Sequence, residues 1–323
     1  MRLSQALSLL ISISSIFYVG LFSGNVSAKY PDKPIIYVVP YLPGGTNDNL
    51  ARIIAKHLSL KLGQSIVVEN RAGAGGTIGA AFVANSKPDG YTLLNASVSN
   101  LAIAPQLLKV NFDPFKDFVP IGHLGGSRSV IAINPKIPIN SIAELIDYAK
   151  KNPGKLTYGT SGNGSPGNIS IEYLKLLAGI DIRHIPYKGS SQALTDAVAG
   201  TIDIVSDPLA NSFSKNGKLR ALAFFGTPDA PDLPGVPSLQ KIYPQWNFSG
   251  SYVMMAPSKT PAEVLDLLRV SLNEILKDPE VIKAINDLGV STKIMTPSEV
   301  DALIKGTFNT SQKIIEKAKI SAE

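Results

Sequence analysis

Strand-like runs that pass through a glycine-rich turn into a helix recur along this chain, and that alternation restricts it to α/β folds. Residues 35–39 (IIYVV) form a continuous β-branched stretch, as a strand buried on both faces requires. Gly44 and Gly45 turn the chain, and residues 49–62 then place Leu50, Ile53, Ile54, His57 and either Lys61 or Leu58 on one helical face. Residues 66–69 read as a second strand, 72–76 as a second glycine-rich turn, 77–85 as a helix of small residues and 91–96 as a third strand. This βαβαβ order predicts a parallel sheet with helices on both faces.

The order returns further on. Ser141-Ile142-Ala143-Glu144 is a capping box opening a helix that runs to Lys151. Strands are expected at 156–160, 181–185, 202–206 and 219–225, and helices at 166–177 and 190–199, the second ended by Gly200. Residues 226–237 are dense in Pro, Gly and Asp and read as loop. Thr260-Pro261-Ala262-Glu263 is another capping box, and Asp278-Pro279 and Thr296-Pro297-Ser298-Glu299 open two more helices. The C-terminal region therefore has helices but only one or two strands, which predicts that it packs on a sheet built elsewhere in the chain.

The 323 residues suffice for about two domains. With 44% hydrophobic and 17% charged residues the chain is neither disordered nor a polyelectrolyte. Cysteine is absent, which removes disulfides, thiolate metal sites and cysteine nucleophiles, and three scattered His argue against a zinc enzyme. The net charge of +6 is spread among acids, with no basic run of five, and reads as solvated surface, not as a nucleic-acid footprint. Met1-Arg2, the uncharged apolar stretch 6–22 and Asn25-Val26-Ser27-Ala28 follow the order of a secretory signal peptide cut after Ala28. The apolar stretch holds four Ser and is short for a span of ~20 residues, which disfavours a membrane anchor. An exported chain without cysteine suits the periplasm.

The turns are where chemistry would sit. Residues 40–48 (PYLPGGTND) join a strand to a helix. Two glycines let the backbone approach a ligand, and a helix start offers free N–H groups and a positive dipole end. A plain tight turn capped by Asn47 or Asp48 is the competing reading. Residues 73–79 (GAGGTIG) have the same placement but lack the Gly-Lys-Ser/Thr ending of a phosphate loop. Gly162, Gly164 and Gly167 match G-x-G-x-x-G, but Pro166 and an exported location argue against a nicotinamide cofactor, and no cofactor is expected. Together the loops offer main-chain N–H groups and the hydroxyls of Thr46, Thr77, Ser161 and Ser165, with no Arg or Lys at a tip. Such a site would hold a carboxylate through neutral donors. Tyr187 would wall a pocket, and Lys188 is either a source of positive potential or a surface cation. Asp207, at a strand end, either orients a hydroxyl or amine of a ligand or forms a turn before Pro208. His57, His123 and His184 have no partner cluster and read as structural. No nucleophile–base pair or close carboxylate pair is visible, so an enzyme is not expected.

Tyr30-Pro31-Asp32-Lys33-Pro34-Ile35, Pro43-Gly44-Gly45-Thr46-Asn47-Asp48, Val68-Glu69-Asn70-Arg71-Ala72-Gly73-Ala74-Gly75-Gly76-Thr77, Lys87-Pro88-Asp89-Gly90-Tyr91-Thr92, Ser161-Gly162-Asn163-Gly164-Ser165 and His184-Ile185-Pro186-Tyr187-Lys188-Gly189 stand in this order. In these motifs the chain resembles the Bug family of extracytoplasmic solute receptors, similar to the binding component of tripartite tricarboxylate transporters. The resemblance covers residues 29–323. It implies a type II periplasmic-binding-protein fold, with two α/β domains and a ligand cleft between them. The first domain would combine 29–128 with 251–323 and the second would be 129–250. It implies a monomer that takes a small organic acid and passes it to integral-membrane permease subunits, or reports it to a sensor protein.

Carried over motif by motif, the first-domain contacts would be Tyr41, Pro43, Gly44, Gly45, Thr46, Asp48, Ala74, Gly75, Gly76, Thr77 and Ser97. The second-domain contacts would be Ser161, Gly162, Asn163, Ser165, Asn168, Tyr187, Lys188, Gly189 and Asp207. The chain departs from the family at Asn168, where the family often has His, and at Ile171, where it often has Glu. That leaves the kind of acid open on the second-domain side.

Overall fold

The computed structural model describes residues 30–226, 230, 232–246, 248–318 and 320. The expected signal peptide and its cut after Ala28 lie outside them, as does part of the 226–237 loop. By its contacts the chain divides into Met1–Asp32 and Lys33–Glu323, and everything below concerns the second unit by itself. Among the described residues no helix is long and apolar enough to cross a membrane.

Two mixed sheets organise the unit. In chain order the first half runs β1 (Ile35–Val39), α1 (Thr46–Leu62), β2 (Ile66–Asn70), a 3-10 turn (Ala74–Gly76), α2 (Thr77–Ala84), β3 (Thr92–Ser97), α3 (Val98–Ala102), α4 (Ala104–Leu107) and β4 (Phe118–Ser127). The middle is β5 (Ser129–Ile133), α5 (Ile142–Lys151), β6 (Thr157–Thr160), α6 (Pro166–Ala178), β7 (Arg183–Pro186), α7 (Ser190–Ala199), β8 (Ile204–Asp207), α8 (Ala210–Lys215), β9 (Arg220–Phe225) and α9 (Leu239–Ile242). The last part is β10 (Gly250–Pro257), α10 (Ala262–Ile275), α11 (Pro279–Asp287), β11 (Val290–Ser291) and α12 (Pro297–Ala318).

The first sheet has the order β11-β4-β10-β3-β1-β2, and the second β7-β6-β8-β5-β9. β1 pairs in parallel with β2 and β3, as the βαβαβ order requires. β10 inserts antiparallel between β3 and β4, so the C-terminal segment does complete a sheet begun two hundred residues earlier. Residues 35–39 are the strand expected of them, and Ile35, Tyr37, Val38 and Val39 are fully buried. The chain passes between the sheets twice, at Arg128 between β4 and β5 and again between β9 and β10. The two passages run side by side, since Ser127 is paired with Gly250 and Ser129 with Phe225.

Side-chain caps fix half of the helix starts among the described residues. Ser141 Oγ accepts the Glu144 N–H at 3.1 Å, and Thr296 and Glu299 bond reciprocally as a capping box should. The box expected at Thr260–Glu263 does not form. The Thr260 hydroxyl donates instead to Pro257 O at 2.8 Å, and Pro261 takes the N-cap place.

Candidate ligand-binding site

The carboxyl ends of β1, β3, β6 and β8 converge from the two sheets, the place where open α/β sheets hold ligands. Between them lies a narrow cavity that encloses about 30 Å³ in this arrangement of the lobes. Tyr41, Gly45, Asn47 and Ser97 line it from the first sheet's loops; Ser161, Ser190, Ser206 and Asp207 line it from the second's. Ser127 and Ser129, on either side of the first passage between sheets, also face it, with Pro166, Gly167, Pro208 and Tyr252. No Lys or Arg is among these lining residues.

The two lobes touch around the cavity. Thr46 Oγ1 donates to Asp207 Oδ1 at 3.0 Å, Ser191 Oγ donates to Pro43 O at 2.9 Å, and the Leu42 N–H reaches Lys188 O at 3.4 Å. Gly189, the N-cap residue of α7, is packed against Leu42, and Gly45 against Ser190. Gly75 is the tightest approach. A Cβ there would stand 2.5 Å from Asn163 O, and its φ of +62° lies in the left-handed region.

Several of the expected contacts hold the loops instead of lining the cavity. Asp48 receives Arg52 twice, at 2.9 and 3.0 Å, the Gly44 N–H at 2.9 Å and Asn70 Nδ2 at 2.8 Å. Burial alone raises its carboxyl, but these donors outweigh burial and hold it below the usual carboxylate range. Thr77 Oγ1 donates to Ala74 O, and Ser165 Oγ accepts the Asn168 N–H as an N-cap. Asn168 Oδ1 accepts the Gly164 N–H at 3.0 Å, so the residue that departs from the family pattern sits behind its loop. The N–H groups of Gly44, Gly76, Gly162 and Gly164 are all used within the protein. What the turns present to the cavity is largely side-chain hydroxyl and amide.

Among the described residues that line the cavity, Asp207 is the one ionisable carboxyl. Burial raises its pKa, partly offset by hydrogen bonds from Ser190, the Leu209 N–H and Thr46. The buried Tyr252 hydroxyl, bonded to Thr46, is pushed well above its usual range by burial and by Asp207. Tyr41, bonded to Ser97, is raised by burial too. Both phenols therefore stay protonated at neutral pH, and Tyr252 spends its proton on Thr46 Oγ1, which in turn donates to Asp207.

A second, more open cleft of about 210 Å³ joins Gly73, Ala74, Gly75 and Gly76 to Ser161, Gly162, Asn163, Tyr187 and Lys188. Tyr187 walls it as expected, its hydroxyl donating to Asp196 at 2.6 Å. Sequence reasoning placed Tyr41, Gly45, Ser97, Ser161 and Asp207 at what proves to be the inner cavity. It did not single out Ser127, Ser129, Ser206 or Tyr252, which come from strands far apart in sequence. The Ser-Arg-Ser of the passage gives no local signal, because it faces the cavity only once β10 has paired with β4.

Residues 50–320 match the tripartite tricarboxylate transporter family receptor, TctC. The chain belongs to that family. Protein BugT of Bordetella pertussis is 34% identical over 302 residues, which cover 91% of this chain and 93% of BugT. The solved periplasmic binding protein BugD is 31% identical with a TM-score of 0.85, over 90% of this chain and 99% of BugD. An R. palustris protein solved with adipate is 30% identical with a TM-score of 0.86, over 90% and 99% of the two chains. The two-domain α/β fold expected from the motifs is thus the fold of this receptor's solved relatives.

Proposed function

We propose that this receptor captures a small organic carboxylate in the cavity between its two lobes and delivers it to the permease subunits of a tripartite tricarboxylate-type transporter. The observation that carries the reading is the cavity wall, with its serine hydroxyls and an amide and no Lys or Arg. Neutral donors bind an acid reversibly, since each hydrogen bond is modest on its own, and reversibility is what a carrier needs. The adipate of the R. palustris relative supports a carboxylate as the class.

The two side-by-side passages support a division into a first domain of 29–128 with 251–323 and a second of 129–250. They are the hinge about which the lobes would open and close. The contacts of Thr46 with Asp207 and of Ser191 with Pro43 belong to the closed form. They favour the ligand only through their difference between open and closed states.

Calorimetric titration with mono-, di- and tricarboxylates, each beside its primary amide, tests the reading. At least one acid is expected to bind, and more tightly than its amide. Binding of sugars or amides alone would reject it.

A further inference from the structure

On the inner side of the cavity the amide of Asn47 is held in one orientation by a chain of buried groups. The backbone O of Asn47 can only accept, so the Asn95 atom 2.9 Å from it is the amide nitrogen. That same nitrogen lies 2.9 Å from the Asn47 side chain, which must therefore present Oδ1 to it. Tyr37 completes the chain by donating to Asn95 Oδ1 at 2.5 Å, and burial keeps its hydroxyl protonated. Tyr37 and Asn95 are fully buried, and Asn47 is 6% exposed. The amide left over, Asn47 Nδ2, is buried without a partner on a residue that lines the cavity.

A second such atom belongs to the same cavity. Ser127, 1% exposed, lines it, and its Oγ is buried without a partner. Ser127 is the last residue of β4, directly before the passage between the sheets, and is paired there with Gly250 of the other passage. A Cβ on Gly250 would come within 2.4 Å of the Ser127 oxygen, so the glycine leaves room for that hydroxyl. Asn47 also lies in the first turn of α1, whose start has no side-chain cap, so free N–H groups and the positive end of the helix dipole lie beside it.

We propose that Asn47 and Ser127 form an acceptor-reading subsite that takes the oxygens of the cargo's carboxylate, with the Tyr37–Asn95 pair fixing the direction of the Asn47 amide. This rests on the carboxylate reading of the cavity and names the atoms that carry it out. Orientation is the point. An amide free to turn would serve a donor or an acceptor equally, whereas this one offers only N–H. Because Ser127 adjoins the hinge, an acid bound here links the first lobe directly to the crossover.

The test uses the chain from Lys29 on and the tightest acid from a panel of short carboxylates, together with the primary amide of that acid. Asn47→Ala removes the donor and leaves Asn95 its bond to the backbone O of residue 47. It is expected to weaken the acid about 10- to 100-fold, the range of a hydrogen bond to a charged group, with little change in the ligand-free unfolding midpoint. Asn47→Asp keeps the shape and reverses the polarity, so it is expected to weaken the acid more than the amide. Ser127→Ala, which deletes one unpartnered oxygen, is expected to weaken the acid about fivefold or more and decides the matter should the Asn47 variants fail to fold. Wild-type binding of the acid with all folded variants within about twofold of it overturns the subsite and leaves the carboxylate reading standing. Failure of the wild type to bind any acid overturns both.

Discussion

Asn168 and His184 show how a polar side chain can shape a site without entering it. The Gly164 N–H can only donate, so Asn168 turns Oδ1 to it and points Nδ2 at Tyr158 Oη, 2.9 Å away, and at His184 Nδ1, 3.4 Å away. His184 Nδ1 is therefore an acceptor, and its proton sits on Nε2, 2.7 Å from Thr160 Oγ1. The ring stacks on Tyr158 with centroids 4.7 Å apart, and Tyr158 donates to Glu172, which Lys175 also reaches at 2.9 Å. Burial, then the Lys175 charge, lowers the His184 pKa from 6.5 to about 4. A group kept neutral by folding loses its contribution as the pH falls from its unfolded value through its folded one. The account predicts that between pH 6.5 and 4 the wild type loses up to roughly 3 kcal/mol that a His184→Gln variant does not lose. Chemical denaturation at several pH values measures this, and parallel curves for the two proteins would contradict it. None of this was legible in the sequence. Asn168 stood out as a departure from a family motif, but only the fold shows that it bonds Tyr158 and the Gly164 turn and does not line the cavity.

At the scale of elements, strands and helices with a strong local pattern were readable and those made by distant pairing were not. β1, α1, α5, α7 and the parallel order of β1 with β2 and β3 follow from β-branched runs, caps and terminal glycines. β4 escapes a sequence reading because Pro120, Gly122, Gly125 and Gly126 interrupt the pattern, and the short apolar run of β5 directly behind it escapes with it. They are strands because β10 and β11 pair with β4, and β8 and β9 with β5. The long C-terminal helix α12 extends past the sheet it was expected to cover. Val300 and Ile304 lie in the core under the first sheet, whereas Ile314 lies in the core of the second. The helix is also held midway, where Gln106 Nε2 donates to Phe308 O and to Ser311 Oγ. Ile314 is 4% exposed, so Ile314→Ala should destabilise the protein by about 2–5 kcal/mol in denaturant unfolding. A cost below about 1 kcal/mol would mean that the end of α12 is not anchored on the second lobe.

At the scale of the whole molecule, the facing turns of the two lobes are bare enough to meet. The meeting points are glycines and hydroxyls: Gly75 beside Asn163 O, Gly45 beside Ser190, and Thr46 on Asp207. A family motif identified the glycines, and the fold supplies the reason, since a Cβ at Gly75 would stand 2.5 Å from the opposite backbone. A methyl group there should prop the lobes apart while leaving each core intact. Small-angle X-ray scattering of the wild type and of Gly75→Ala, each with and without the tightest-binding carboxylate, measures closure directly. The account predicts that the acid makes the wild type more compact and leaves Gly75→Ala unchanged. Equal compaction of both proteins, or none in a wild type saturated with acid, would contradict it.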